Sequence, residues 1–187
     1  MHIIQYYTQT NPYKHLHCII LSMNILLNLN DFTYVTQTNS PYIDFRDYIR
    51  FSDPKGNNLL EGDFTKILYS DENITLNGLY LEFPIIMKPH NHQDRNSSIL
   101  SYFSIENAQN RNVMNQLFML EKSLLDLYSE DRQIQKNPQY SLKTQLSTGT
   151  VRVYRENNAT APTYALKISG IWETHYKIGI TYKILAL

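Results

Sequence analysis

A single change of hydrophobic period constrains the fold of this chain more than any other feature. In the stretch "NVMNQLFMLEKSLLDLYSEDR", apolar residues recur at the spacing of one face of an α-helix. We expect Asn110 or Asn112 to cap its start, and Asn137-Pro138 prevents its continuation. The sequence therefore predicts one long helix whose apolar residues belong to the core: Val113, Leu117, Leu120, Leu124 and Leu127, with Met114, Phe118, Met119, Leu125 and Tyr128 beside them.

The sequence on both sides of this helix is patterned for strands. The predicted strands before it are 65–70, 74–87 and 99–106, and those after it are 140–146, 150–154, 164–173 and 177–185. Strands, one helix and further strands predict an α+β fold. That fold is either a mostly antiparallel sheet with one long helix or a partly open barrel of the OB type. We assign residues 31–187 to a single α+β, OB-like domain and residues 1–30 to an N-terminal extension, with Met23 as an alternative start of the native product.

Charge and cysteine content limit the partners that the chain can have. Lys+Arg and Asp+Glu balance at 17 each, so a nucleic-acid surface would require that the cations be segregated on one face. The one cysteine, Cys18, excludes an intramolecular disulfide and suits a reducing compartment. The apolar run 18–30 is shorter and more polar than the ~20 residues of a membrane span. We expect a soluble, unsecreted protein without a membrane partner.

The motifs of common enzymes are missing from the sequence. It contains no glycine-rich phosphate loop and no GxSxG elbow. His90 and His92 form one histidine pair, and the segment 15–18 holds two histidines beside the cysteine, but structural zinc usually uses two well-separated ligand pairs. We interpret both groups as loop residues and predict no enzyme, no catalytic residue, no cofactor and no metal. A metal-dependent enzyme that uses these histidines is a third alternative.

The last 24 residues, "YALKISGIWETHYKIGITYKILAL", are patterned as a hairpin. Simple alternation places Trp172 with Leu166 and Ile168, opposite Lys167. In the final strand it places Lys177 and Lys183 opposite Tyr182. Gly170 and Gly179 suit a bulge or a close approach of backbone or ligand. A sheet face would be basic in spite of the neutral total if it carried these five residues: Lys143, Arg152, Lys167, Lys177 and Lys183.

A basic face with interleaved aromatic residues meets the needs of single-strand binding without sequence preference. Cations follow the phosphates, and aromatic rings stack on the bases. The alternative interpretation places Trp172 and the tyrosines in the core or at its rim. The lysines would then keep the outer side of the sheet soluble and discourage edge pairing.

Three short motifs resemble a known family. They are "FSDPK" at Phe51–Lys55, "GIW" at Gly170–Trp172 and "GITYK" at Gly179–Lys183. In this order they resemble motifs of a single-stranded DNA-binding protein family of nucleocytoplasmic large DNA viruses, the giant viruses, over about residues 45–187. The resemblance implies an OB-like fold and a role in viral DNA replication, recombination or repair, located in the viral factory of the host cytoplasm or in the virion.

The hairpin pattern and the resemblance together predict a non-enzymatic protein that binds single-stranded DNA weakly or without sequence preference. The expected contacts are base stacking on Tyr80, Tyr102, Trp172 and Tyr182, and phosphate binding by Lys55, Arg152, Lys167, Lys177 and Lys183. The alternative is a viral structural or assembly protein. There the same tyrosines would contact protein partners or a second copy of the chain, because interface cores are enriched in tyrosine.

Overall fold

The computed structural model describes residues 26–28, 45–57, 61–72, 74–88, 98–155 and 163–187. Most of the predicted N-terminal extension and both histidine motifs lie outside these ranges. Within them, no helix is long and apolar enough to cross a membrane. The described part of the chain forms an α+β fold, as the sequence predicts, with eleven strands and two α-helices.

In the sequence, strands both precede and follow the long helix. After a 3₁₀ turn at Phe45–Tyr48 come β1 (Ile49–Phe51), β2 (Lys55–Asn57), β3 (Gly62–Ser70), β4 (Thr75–Asn77), β5 (Leu79–Glu82), β6 (Met87–Lys88) and β7 (Ser98–Phe103). The helix α1 (Ala108–Arg132) is followed by β8 (Asn137–Gln139), α2 (Ser141–Ser147), β9 (Thr150–Arg155), β10 (Tyr164–Glu173) and β11 (Lys177–Ala186).

The strands form one mixed sheet that does not close on itself. Its order is β1-β3-β10-β11-β9-β7-β6, with β2 and β4 on β3, β5 on β10, and β8 on β11. Most pairs are antiparallel, but β8 and β9 run parallel to β11. The terminal hairpin β10–β11 therefore lies at the centre of the sheet, where both of its strands have neighbours on their outer edges.

The helix α1 covers one side of this sheet with the predicted apolar stripe. Its buried apolar residues are Val113, Leu117, Leu120, Leu124, Leu125 and Tyr128, and burying such a side chain contributes about 1.5–3 kcal/mol. The predicted caps are wrong, because Asn107 is the N-cap and its Oδ1 accepts from the backbone of Gln109 and Asn110. Placing Met119 in the core is also wrong, since that side chain is 42% exposed.

The predicted strand at 140–146 is a helix instead. Leu142 and Leu146, one helical turn apart, are both buried against the core. The fully buried carboxylate of Glu121 in α1 accepts the backbone N–H groups of Leu142 and Lys143 at 2.9 and 3.0 Å, so the first turn of α2 has its donors satisfied. Lys143 consequently lies on a helix and is not part of the basic sheet face considered for it in the sequence.

A β-bulge at Ser169 moves the side chains in the second half of β10 to the opposite faces of the sheet. Ile168 pairs with Tyr182, but Gly170 already pairs with Thr181, so one extra residue stands on the β10 side. Because one added residue moves every later side chain to the opposite face, Ile171 becomes buried and Trp172 joins Lys167. The prediction that Trp172 lies opposite Lys167 is therefore wrong, since simple alternation assumes a regular strand.

Candidate nucleic-acid interface

The strand registers divide the sheet into a helix-facing side and an outer face that points away from α1 and α2. One row of the outer face runs Lys55, Phe64, Trp172 and Gly179 across β2, β3, β10 and β11. The next row contains Lys66, Gly170 and Thr181. A third contains Tyr80, Lys167 and Lys183. Beyond β11, the outer face continues through Tyr154, Arg152 and Tyr102.

Charge is strongly asymmetric between the two sides of the sheet. Within the described strands, the register places a single carboxylate, Glu82, on the outer face. Eight cationic residues share that face: Arg50, Lys55, Lys66, Lys88, Arg152, Lys167, Lys177 and Lys183. The ion pairs Arg46–Glu130 and Lys122–Asp126 involve α1, and Lys136–Glu173 lies on the helix-facing side of the sheet. The neutral chain thus separates its charges and presents a basic wall.

Two aromatic rings lie side by side on this wall. Trp172 and Phe64 are direct cross-strand partners, and each ring lies against a glycine of the adjacent strand. A Cβ added at Gly179 would lie 2.4 Å from Cζ2 of Trp172, and one added at Gly170 would lie 2.6 Å from Cζ of Phe64. Both side chains are half-buried, because one side of each ring packs on the sheet. The pair forms an aromatic platform flanked by Lys55.

A second aromatic area lies beyond β11. Tyr102 is 41% exposed and faces outward on β7. On the adjacent strand β9, Arg152 donates to Ser98 Oγ at 3.2 Å, and the ring of Tyr154 lies 5.2 Å from Lys183 Nζ. The predicted residues Tyr102, Arg152 and Lys183 therefore share one surface with Trp172.

Two of the predicted stacking tyrosines do not present their rings to the outer solvent. Tyr80 belongs to the outer face by register but is only 1% exposed, with Lys167 Nζ at 5.0 Å from its ring centroid. Tyr182 points to the helix side, where its hydroxyl donates to the Ser141 carbonyl at 3.5 Å. Burial and the charge of Glu121 raise the pKa of Tyr182 to about 12, so its hydroxyl stays protonated at neutral pH.

A polar cluster on the helix-facing side fixes the end of β10 beside Trp172. Tyr128 donates to Glu173 Oε2 at 2.8 Å and lies 3.1 Å from Thr65 Oγ1, and burial raises the pKa of its phenol. Lys136 Nζ holds the other carboxylate oxygen of Glu173 at 2.6 Å. This cluster keeps the carboxylate of Glu173 away from the outer face, where it would weaken the positive potential.

The predicted site did not include five outer-face residues: Arg50, Phe64, Lys66, Lys88 and Tyr154. The segment "GDFTKILYS" does alternate, but aromatic and apolar residues occur in both of its alternating sets. Periodicity therefore separates Phe64 from Thr65 without telling which of them faces outward. The partner strand decides, since Phe64 pairs with Trp172 only after the bulge has turned Trp172 outward.

The chemistry of the outer-face residues is the guide to what this face can bind. Comparisons of the chain with protein-family models, with curated proteins and with solved structures found no match. Within the described ranges, no group of three His, Cys, Asp or Glu side chains is arranged to hold a metal ion. The face offers cations beside partly exposed rings, which suits a ligand that combines negative charge with flat apolar groups.

Proposed function

We propose that this protein binds single-stranded DNA through the outer face of its sheet, without marked sequence preference. One observation carries the proposal: within the described strands, eight cations and one carboxylate share this face with the ring pair Phe64 and Trp172. In this mechanism the cations displace counterions from the phosphates, and the rings stack on bases. No covalent chemistry is required.

The aromatic platform favours a single strand over a duplex. Directly opposed cross-strand residues have Cβ atoms about 4.5–5.5 Å apart, so Phe64 and Trp172 can each contact one of two neighbouring bases. A duplex hides these base surfaces in its own stack. We assign stacking to Phe64, Trp172 and Tyr102, and phosphate contacts to the cations Lys55, Lys66, Arg152, Lys167, Lys177 and Lys183.

The family resemblance supports the same function, and two of its motifs meet on the outer face. Trp172 of the "GIW" motif and Gly179 of the "GITYK" motif are cross-strand partners, and the glycine makes room for the indole. Two motifs separated in sequence therefore build one feature of the outer face. Under this proposal the protein has an OB-like binding role in a giant virus and acts in DNA replication in the viral factory, or in the virion.

Titration with oligo-dT tests the proposal, because Trp172 is the only tryptophan of the chain. We expect stacking to quench its fluorescence at low salt. The logarithm of the association constant should fall linearly with the logarithm of the salt concentration, by about 0.7 for each phosphate contacted. Failure to bind oligo-dT at low salt, or saturation without quenching, would overturn the proposal.

Two exposed tyrosines provide matched variants for this titration. Tyr102 is 41% exposed on the outer face, whereas Tyr176 is 70% exposed at the turn of the terminal hairpin. We expect Tyr102→Ala to weaken oligo-dT binding by about 1–3 kcal/mol, the contribution of one stacked base. Tyr176→Ala should leave the affinity unchanged. Equal effects of the two variants would argue against a localised stacking surface.

A further inference from the structure

A cavity opens where β9 and β11 separate. These parallel strands pair only between Val153–Arg155 and Ile184–Ala186, and the helix α2 contributes Gln145 next to the gap. The cavity measures about 250 Å³. Its lining combines outer-face and helix-facing side chains, so it leads from the outer face into the sheet: Gln145, Arg152, Tyr154, Tyr182, Lys183 and Ile184.

The cavity is lined by two cationic side chains, and contacts with neighbouring residues fix their positions. Arg152 Nη1 bonds to Ser98 Oγ on β7, and Lys183 Nζ lies over the ring of Tyr154. Gln145 Nε2 donates to the carbonyl of Thr150 at 2.7 Å, which fixes the amide beside the gap. The lining contains no Asp or Glu within the described part of the chain. Two positive side chains on two different strands therefore share one small space.

We propose that this β9–β11 cavity binds a phosphate monoester at the end of a nucleotide, with Arg152 and Lys183 as the phosphate ligands. This inference rests on the proposed function, because it assigns the end of the bound strand to one place on the outer face. The rings of Tyr154 and Tyr182 lie beside the same space and would contact the attached sugar or base.

Charge and volume both favour a terminal phosphate over an internal one. A phosphate monoester carries about −1.5 to −2 charges at pH 7, which two cations can balance, whereas an internal diester carries only one charge. Pockets for drug-sized ligands measure about 300–1,000 Å³. A cavity of 250 Å³ therefore admits one nucleotide end and not a run of nucleotides.

The experiment compares oligo-dT carrying a 5′-phosphate, a 3′-phosphate or neither, each labelled at the opposite end and followed by fluorescence anisotropy. We expect one phosphorylated end to tighten binding about tenfold, the effect of one or two charge-assisted hydrogen bonds. This advantage should shrink below about pH 6, where the monoester loses its second charge. Competition by free thymidine monophosphate then tells whether the cavity also takes a free nucleotide or requires a strand end.

Charge-matched variants separate the cavity from the rest of the outer face. Lys183→Gln and Arg152→Gln should each remove the preference for the phosphorylated oligonucleotide. Lys66→Gln, an exposed outer-face change away from the cavity, should weaken both oligonucleotides equally. Thermal unfolding confirms that each variant is folded.

The outcomes distinguish this inference from the proposed function. Equal affinity of the native chain for phosphorylated and unphosphorylated oligo-dT would overturn the cavity assignment, and so would a preference that survives in both cavity variants. Binding of unphosphorylated oligo-dT tests the proposed function by itself. Binding of thymidine monophosphate without any oligo-dT binding would support the cavity and reject the proposed function.

Discussion

Gly179 and Trp172 show how a single residue can determine the outer face. Gly179 is buried beneath the indole, and an added Cβ would lie 2.4 Å from Cζ2 of Trp172. We expect Gly179→Ala to displace the ring and to destabilise the fold by about 1–3 kcal/mol, as overpacking does. Tryptophan emission should shift to longer wavelength as the indole moves into water, and oligo-dT affinity should fall.

Gly56 in β2 is the matched control for this substitution. Among the described residues, a Cβ at Gly56 would meet nothing closer than Asp63 Oδ1 at 4.0 Å. Gly56→Ala should therefore leave the emission spectrum and the free energy of unfolding nearly unchanged. If Gly179→Ala gave the native spectrum and stability, the packing of Trp172 over this glycine would not matter for the surface.

Residue types in the sequence predicted many side chains of the candidate surface, but the structure was needed to show which way each of them points. Lys55, Lys167, Lys177 and Lys183 lie on the outer face together with Trp172, although alternation had placed Trp172 on the other side. Tyr80 belongs to the outer face by register, but its side chain is buried. Burial by distant parts of the chain leaves no local signal in the sequence. Composition identifies side chains that could suit a ligand, and register and packing decide which of them reach the surface.

At the scale of elements, α1 was predictable and α2 was not. The stripe of α1 repeats over many turns, so the period alone identifies it. The helix α2 has only seven residues, and the carboxylate that satisfies its first turn belongs to Glu121, about twenty residues earlier. The bulge at Ser169 is equally non-local, since a bulge exists only relative to the partner strand. Local patterns miss elements that distant contacts stabilise.

The link between Glu121 and α2 gives a testable stability effect. Replacing Glu121 by Gln leaves one backbone N–H of α2 facing an amide N–H₂ group, so we expect a loss of about 1–3 kcal/mol in the free energy of unfolding. Chemical denaturation measures this loss. Glu130→Gln, an exposed change on the same helix, is the control and should cost far less.

The pH dependence of the Glu121 effect has a definite sign. Burial raises the pKa of Glu121 above its ordinary value of 4.5, so the folded chain binds this proton more tightly than the unfolded chain. Protonation of Glu121 therefore stabilises the folded chain. This contribution is fully present below pH 4.5 and is lost as the pH rises through the raised pKa of the folded chain. The stability gap between the native chain and Glu121→Gln should therefore be widest in acid and narrow with rising pH. A gap that widens instead would mean that burial does not dominate this pKa.

At the scale of the whole molecule, net charge is a poor guide to binding. The total is zero, with 17 cations and 17 acids, yet the register places eight cations and one carboxylate on the described outer face. The alternating strands separate these charges, because every second residue points away from the helices. Potential at a surface depends on the local arrangement of charge, so a neutral chain can still attract a polyanion.

Two double variants of equal net charge test this separation directly. Lys66→Gln with Lys177→Gln removes two cations from the outer face, and Lys122→Gln with Lys143→Gln removes two from the helix layer. We expect the first pair to lower the salt slope of oligo-dT binding by about 1.4, at about 0.7 per lost phosphate contact. The second pair should leave the slope at its native value. If both pairs lowered the slope equally, DNA binding would depend on the total charge of the protein. The outer face would then not be the DNA-binding surface.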